Sequence, residues 1–419
     1  MFKNKRKLFK LKKDKINRPL FIRKKRIDFI MLALVLALSL YGLVVISSAT
    51  LSYGGAGYVK RQAIASILGL VLMGGLMVTD YRLWKKLYLL IYGVSIFLLI
   101  LTLVFGYGSE SWGADSWLRI GGINFQPAEF VKVALVISLA TWLDDHYSQL
   151  NEPKTLIKTL VFAGLPVLLI LLQPDFGTAM VFIFFIAVML FFAQLDWKYI
   201  LGALALGLAS LPLIYLSLSP YQKDRIHNFF DASQDTSGSS YQIVEGRIAI
   251  GSGQLLGRGL YQGTQTQYNY IPTKATDFIF AVLVEELGFV GGALLILLYA
   301  GLFARMFKTA HLSRDRMGSL MVIGFMAIFL IHIWENIGMT IGLMPITGIP
   351  LPFISYGGSF QLVNLICIGL ILSVRFNLQA REVDQTHPLG GLHQWIRQKE
   401  DQVTGYFDRK LKEEREKRK

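Results

Sequence analysis

Residues 160–192 read LVFAGLPVLLILLQPDFGTAMVFIFFIAVMLFF, two apolar runs separated only by Gln173-Pro174-Asp175. A soluble helix keeps a polar face toward water, whereas these runs are apolar all round, as a membrane span requires. Backbone N–H and C=O groups find no water in hydrocarbon, so each run is read as a helix that bonds them internally. Pro174 lacks a backbone donor and disfavours helix at Gln173. The three-residue link is therefore a tight hairpin on the outer face, joining spans at 156–172 and 176–193.

The same reading outward in both directions predicts further spans near 28–48, 60–79, 86–105, 126–144, 198–217, 277–304, 317–341 and 355–376. The expected fold is an all-α polytopic bundle of about ten transmembrane helices. Residues 1–26 form a basic cytoplasmic tail, 27–376 the membrane domain and 377–419 a charged cytoplasmic tail. Residues 218–276 are left as a large extracellular loop between spans seven and eight, too long to be a bare connection. Its polar tip is Gln234 to Ser240. Ile248, Ala249, Ile250, Leu255 and Leu256 in its Gly-rich part suggest contact with the membrane surface. The run after the basic N-terminus ends in Ser47-Ser48-Ala49 like a cleaved leader, but further spans follow at once, so it is read as an uncleaved first helix.

Composition agrees. Of 419 residues, 53% are hydrophobic and 17% charged, too little polar surface for a soluble chain of this length. The net charge of +15 is concentrated in the two tails, beside apolar spans and without any nucleic-acid-binding module, so anionic lipid is the expected neighbour and nucleic acid is not. Arg82, Lys85, Lys86, Lys154, Lys158, Arg305, Lys308, Arg314 and Arg316 fall in loops on the side of the N-terminus. Glu110, Asp115, Asp231 and Asp235 fall on the other. The excess of Lys and Arg places both termini in the cytoplasm of a multi-pass inner-membrane protein. The tail from Arg381 alternates charged and apolar residues, among them Leu392, Trp395 and Phe407, as a cytoplasmic surface helix would. The single cysteine, Cys367, can form no internal disulfide and is read as packing.

Ionisable residues inside spans are costly and tend to mark function. Glu129 and Lys132, behind Pro127, are three residues apart and so neighbours on one helix face. They are either a mutually neutralising pair or a polar wall near the outer surface. Asp277 opens span eight beneath the long loop, followed by Glu285-Glu286. At about 100° per residue Glu285 falls near the Asp277 face and Glu286 nearly opposite. Asp277 is either a helix cap or a functional carboxylate. Pro350 to Ser359, with two prolines and two glycines, is a rigid non-helical segment at the bilayer boundary, which protein must surround. The glycines from Gly251 to Gly259 follow no strand and are not taken as a phosphate loop.

Taken in order, six stretches resemble the SEDS family of bacterial cell-wall proteins, whose branches are RodA and FtsW. They are Gln126-Pro127-Ala128-Glu129, Gln173 to Ala179, Ala249 to Gly253, Gly263 to Gln267, Thr276 to Ala281 with Glu285 to Gly288, and Pro350 to Ser359. Asn336 to Met339 with Pro345 to Gly348 lean toward the RodA branch. The pattern departs at Ser116, where Arg is expected, at Ala128 for Ser, and at Ala275 for His.

The resemblance implies a peptidoglycan glycosyltransferase that polymerises lipid II at the outer face during elongation. A glucosaminyl 4-hydroxyl would attack the anomeric carbon of a muramyl sugar, with inversion and release of undecaprenyl diphosphate. It implies Asp277 as catalytic base, or as ligand of a divalent cation, Mg²⁺ or Mn²⁺, carrying the diphosphate. Lys132, Arg119, Arg258 and Lys274 are candidate diphosphate contacts, with Glu129, Glu285, Ser355 and Gln265 as further substrate contacts. The implied partners are a class B penicillin-binding protein and other elongation-complex membrane proteins. Rival readings are a lipid II flippase lined by Glu129, Lys132 and Glu335, a division-specific FtsW-type polymerase, and a silent scaffold for the transpeptidase.

Overall fold

The computed structural model describes residues 27–108, 114–120, 123–217, 223, 239–313 and 315–377. The basic N-terminal tail, the C-terminal tail with its expected surface helix, Glu110, Asp231, Arg314 and the loop tip over 234–238 lie outside the described residues.

Helices form where the apolar runs dictate: α1 Phe29–Ala49, α2 Gly55–Val78, α3 Arg82–Phe105, α4 Pro127–Asp145, α5 Pro153–Leu171, α6 Phe176–Phe192 and α7 Trp197–Ser217. The long loop contributes α8 Ser239–Gly253 and the short α9 Thr264–Gln267. Then follow α10 Ile279–His311, α11 Arg316–Thr340 and α12 Gly358–Phe376. Seven of them, α1, α2, α3, α5, α10, α11 and α12, are each long and apolar enough to cross a membrane. Two of the other expected spans have visible reasons for falling short: α6 has 17 residues, and α4 carries Glu129, Lys132, Asp144 and Asp145. α7, a helix of 21 residues, stays apolar beyond its middle through Leu211, Leu213, Ile214 and Leu216. α4 resolves its charge problem by position: α3, α5, α6, α11 and α12 surround it, and most of its side chains are buried.

Outward-facing side chains are apolar. Leu89, Phe97 and Val104 on α3, Leu206 on α7 and Leu297 on α10 are exposed, which water would penalise and lipid does not. The chain is a multi-pass helical membrane protein.

Two boundaries differ from expectation. α2 begins at Gly55, ahead of residue 60, because Gly54 adopts a left-handed turn at φ 97° that lets the chain reverse straight out of α1. α10 runs on to His311, and its last turns carry Arg305 and Lys308. The basic residues gather at the end where α1 begins: Arg82 pairs with Asp315 at 3.4 Å, Lys85 with Asp144 at 2.7 Å, and Arg305 with the α1 cap Asp28 at 2.6 Å.

The opposite end carries the loop. Its Ile243, Ala249 and Ile271 pack with Phe278 and Ala281 at the start of α10, Met339 of α11 and Ile346 in a small second core. Ala249 is thus packed inward, while Ile248, Leu255 and Leu256 remain exposed. The Gly-rich stretch has a structural purpose. α10 is broken at Gly288, φ 67°, and the loop backbone docks on the break. Arg258 N–H donates to Glu285 O at 2.9 Å, Gly259 N–H to Glu286 O at 3.0 Å, and Phe289 N–H to Gln254 O at 2.8 Å. A Cβ on Gly257 would lie 2.1 Å from Glu286 O, so only glycine allows this approach. Ahead of α4, β1 Leu118–Ile120 pairs antiparallel with β2 Ile123–Phe125, a hairpin missed in the all-α reading although Gly121-Gly122 signals it.

Candidate active site

Asp277 sits in the turn before α10. The helix cap is Phe278, with no side chain capping it, so the capping reading of Asp277 does not hold. What fixes it instead is tertiary. Asn336 on α11 donates through Nδ2 to Asp277 O and to Ile349 O, both at 2.8 Å. One residue back, Ser355 Oγ donates to Thr276 O at 2.6 Å while accepting from Leu351 N–H at 2.7 Å. Tyr356 N–H donates to Ala275 O at 2.9 Å. The Pro350 to Ser359 segment therefore braces residues 275–277, and Gln62 of α2 braces that segment in turn by accepting from Gly357 N–H at 3.0 Å. The half-buried Asp277 carboxylate faces Gly348, where an added Cβ would stand 3.9 Å from Oδ2.

Deeper in the bundle lies the second group. Lys132 Nζ donates to Glu129 Oε1 at 2.8 Å, with the two side chains 3% and 7% exposed. It also reaches His332 Nε2 at 2.8 Å, and His332 Nδ1 stands 3.2 Å from Pro350 O. A carbonyl only accepts, so Nδ1 carries the proton and Nε2 takes one from Lys132, which fits a neutral imidazole. Glu335, one helical turn on, is fully buried, with the Thr347 hydroxyl as its polar neighbour. Lys132 and Asp175 are the charges that act on it. Asp175 caps α6 by accepting from Thr178 N–H at 3.1 Å, with Gln126 Nε2 at 3.4 Å. α4, α6, α11 and the Pro350 segment thus converge through polar contacts.

The remaining candidates lie on the loop, its anchor on α10 and the hairpin. Glu285 accepts from Gln265 N–H at 2.8 Å and from Thr266 N–H at 3.0 Å, holding the loop to α10. Glu286 accepts from Ser48 Oγ at 2.6 Å and from Gln267 Nε2 at 3.1 Å. Lys274, 1% exposed, donates to Ser52 Oγ at 2.9 Å, to Asn269 Oδ1 at 2.7 Å and to Thr266 O. Burial lowers its pKa to about 8, against the opposing pull of Glu285 and Glu286. Arg119, on the hairpin, bonds Asn124 Oδ1 at 3.3 Å and covers the Tyr107 ring. Arg258 is exposed at the docked loop.

The structure thus brings Asp277 and Ser355 into one strapped segment, and Glu129 and Lys132 into one buried network. It gathers Glu285, Gln265 and Lys274 into a loop anchor. His332 and Asn336 had not been singled out for a role. Polar residues a turn apart in an otherwise apolar span were the available signal. Among the described residues no three His, Cys, Asp or Glu side chains gather as an all-protein metal cage would need.

A family model described as "Cell cycle protein", FTSW_RODA_SPOVE, matches residues 28–380. The chain is 36% identical to the peptidoglycan glycosyltransferase MrdB of Escherichia coli strain K12, over 86% of this chain and 96% of the relative. It is 34% identical to stage V sporulation protein E of Bacillus subtilis, over 83% and 96%. Among solved structures, a chain of a peptidoglycan synthase complex coordinating polymerization and crosslinking superposes with a TM-score of 0.73 at 32% identity, covering 83% of this chain and 97% of its own. The rod shape determining protein RodA of Thermus thermophilus gives 0.65 at 30%, covering 85% and 98%.

Proposed function

This chain belongs to the FtsW, RodA and SpoVE family, and on that premise we propose that it is a peptidoglycan glycosyltransferase, polymerising lipid II at the outer face of the cytoplasmic membrane. The observation that carries the proposal is the strapping of residues 275–277 at the loop-covered end of the bundle, by Asn336 and the Ser355–Tyr356 segment, with the Asp277 carboxylate beside Gly348. The 4-hydroxyl oxygen of a glucosaminyl end attacks the anomeric carbon of a muramyl unit from the face opposite the diphosphate. Asp277 takes the hydroxyl proton. The C1–O bond breaks with its electron pair going to undecaprenyl diphosphate, and the configuration inverts. General-base help of this kind contributes typically 10²–10⁴-fold.

In this reading Glu129 and Lys132 supply a polar wall, with Lys132 as a diphosphate contact. Arg119 and Arg258 are exposed enough to meet a head group. Glu285, Gln265, Lys274 and Ser355 serve the reaction through the loop and the strap that their bonds hold in place. A divalent ion, Mg²⁺ or Mn²⁺, enters this reading as counter-ion of the substrate diphosphate, and no step is routed through it. The basic tails lie in the cytoplasm, following the excess of Lys and Arg at that end. Similarity to MrdB and to the rod shape determining protein, with Asn336 to Met339, favours use in elongation and a class B penicillin-binding protein as partner.

The test is purified protein with labelled lipid II. Wild type yields glycan ladders on a gel, and Asp277→Asn, folded and inserted, yields none. Ladders from the Asn variant refute the assignment of Asp277. Lipid moved across proteoliposomes without any glycan product would favour the flippase instead.

A further inference from the structure

Three tyrosines at the outer mouth are left unused by the reaction as written. Tyr53 lies in the turn Leu51–Tyr53 after α1, Tyr58 in the first turn of α2, and Tyr356 just ahead of α12. Their rings interlock in a row, Tyr53 to Tyr58 at 5.3 Å and 83°, Tyr58 to Tyr356 at 5.0 Å and 63°. The row is fastened to the segment of Asp277 at both ends. Tyr356 N–H bonds Ala275 O, and Lys274 Nζ lies 5.1 Å from the Tyr53 ring while donating to Ser52.

Rings that served only as packing would be covered, yet Tyr53 is 40% exposed and the other two are half-buried. Rings that served only as a membrane belt would stand singly among lipid head groups. Here edge-to-face contacts make one stiff surface, bound by polar contacts to the chain around Asp277. A flat aromatic face suits the C–H face of a pyranose, and a phenol hydroxyl suits its hydroxyls and acetamido group. Burial, with Tyr58 and Tyr356 alongside, pushes the Tyr53 phenol up to about 12, so it stays protonated and able to donate at any working pH.

We propose that Tyr53, Tyr58 and Tyr356 form a saccharide-binding shelf that holds an N-acetylated pyranose of the glycan strand next to Asp277, an inference that rests on the polymerase reading above. The shelf retains sugar between additions, so strand length depends on it.

The test uses the full chain in detergent with a soluble probe, the β-1,4-linked tetramer of N-acetylglucosamine, followed by calorimetry, together with gel analysis of strand length from lipid II. Tyr53→Ala and Tyr58→Ala weaken tetramer binding about tenfold each and shorten the strands, raising the KM for lipid II more than they lower kcat. Tyr53→Phe and Tyr58→Phe, which keep the ring and lose only the hydroxyl, weaken binding by less than the alanine variants do. Thermal midpoints are read first. If an alanine variant does not fold, Tyr53→Leu, which keeps apolar bulk without a flat face, takes its place with the same expectation. Alanine or leucine variants that bind the tetramer as wild type does, with strands of unchanged length, overturn the shelf while leaving the polymerase reading intact. Wild type that binds the tetramer but makes no glycan overturns the polymerase reading and leaves the shelf standing.

Discussion

Replacing Lys132 by Met removes the positive member of a pair that is almost wholly buried, with side chains 3% and 7% exposed. Glu129 Oε2 already has no hydrogen-bond partner, so losing the 2.8 Å contact at Oε1 leaves the carboxylate with none from Lys132 on either oxygen. His332 Nε2 loses its donor at the same stroke. Breaking one side of such a pair costs roughly 3–5 kcal/mol, far more than the ~0–1 kcal/mol of a surface pair. Removing both charges, as in Glu129→Met with Lys132→Met, leaves no isolated ion and should cost less than either single change. The assay is a double-mutant cycle on unfolding free energy in mixed micelles, with the glycan gel run on whichever variants fold. Single changes that add to the double within about 0.5 kcal/mol would refute the reasoning, since coupled neighbours do not add. A double variant that folds but makes no glycan assigns the pair to substrate, whereas one that still polymerises assigns it to insertion alone.

Asn336→Leu deletes both donors that hold Asp277 O and Ile349 O, so kcat falls by about a hundredfold while the Tm falls only modestly, read by gel kinetics and thermal melts. An unchanged kcat would show that Asp277 is fixed by other means. Lys274 gives a pH dependence of defined sign. Its folded pKa lies near 8, below the ordinary 10.5, so the unfolded chain binds the extra proton between those values. Stability of wild type relative to Lys274→Met therefore rises as pH climbs from about 8 toward 10.5 and is flat below 8, measured by paired melts across that range. A fall over that window would contradict the burial of the ammonium.

The fold was legible wherever a bilayer dictates it. The runs around Gln173-Pro174-Asp175 become α5 and α6 because hydrocarbon forces every backbone group to bond within its own helix. Periodicity cannot show how a helix is broken. Nothing in Leu287-Gly288-Phe289 alone says that α10 parts there, because the break is stable only when residues 254–259 supply the bonds that helix geometry gave up. The same limit applies to the site. Asp277, Glu129 and Lys132 stand out as ionisable residues in apolar surroundings, but the loads on Glu285 and Ser355 appear only once the loop and the Pro350 segment fold back on them. Both positions, which the family resemblance offers as substrate contacts, brace neighbouring backbone in three dimensions.

The braces also explain how a carboxylate can be held steady at the frayed start of a long helix. α10 begins without a side-chain cap, and such an end would ordinarily be mobile. Here successive carbonyls from Ala275 to Asp277 each accept from a distant element, namely Tyr356 N–H, Ser355 Oγ and Asn336 Nδ2. Each such bond contributes about 1 kcal/mol net, and the partners lie in segments fixed by their own packing, so they act together. Moving the backbone that carries the carboxylate would break bonds to α11 and to the Pro350 segment at once. The rigidity of the backbone at Asp277 is therefore a tertiary property imposed from two sides, with the carboxylate beside Gly348.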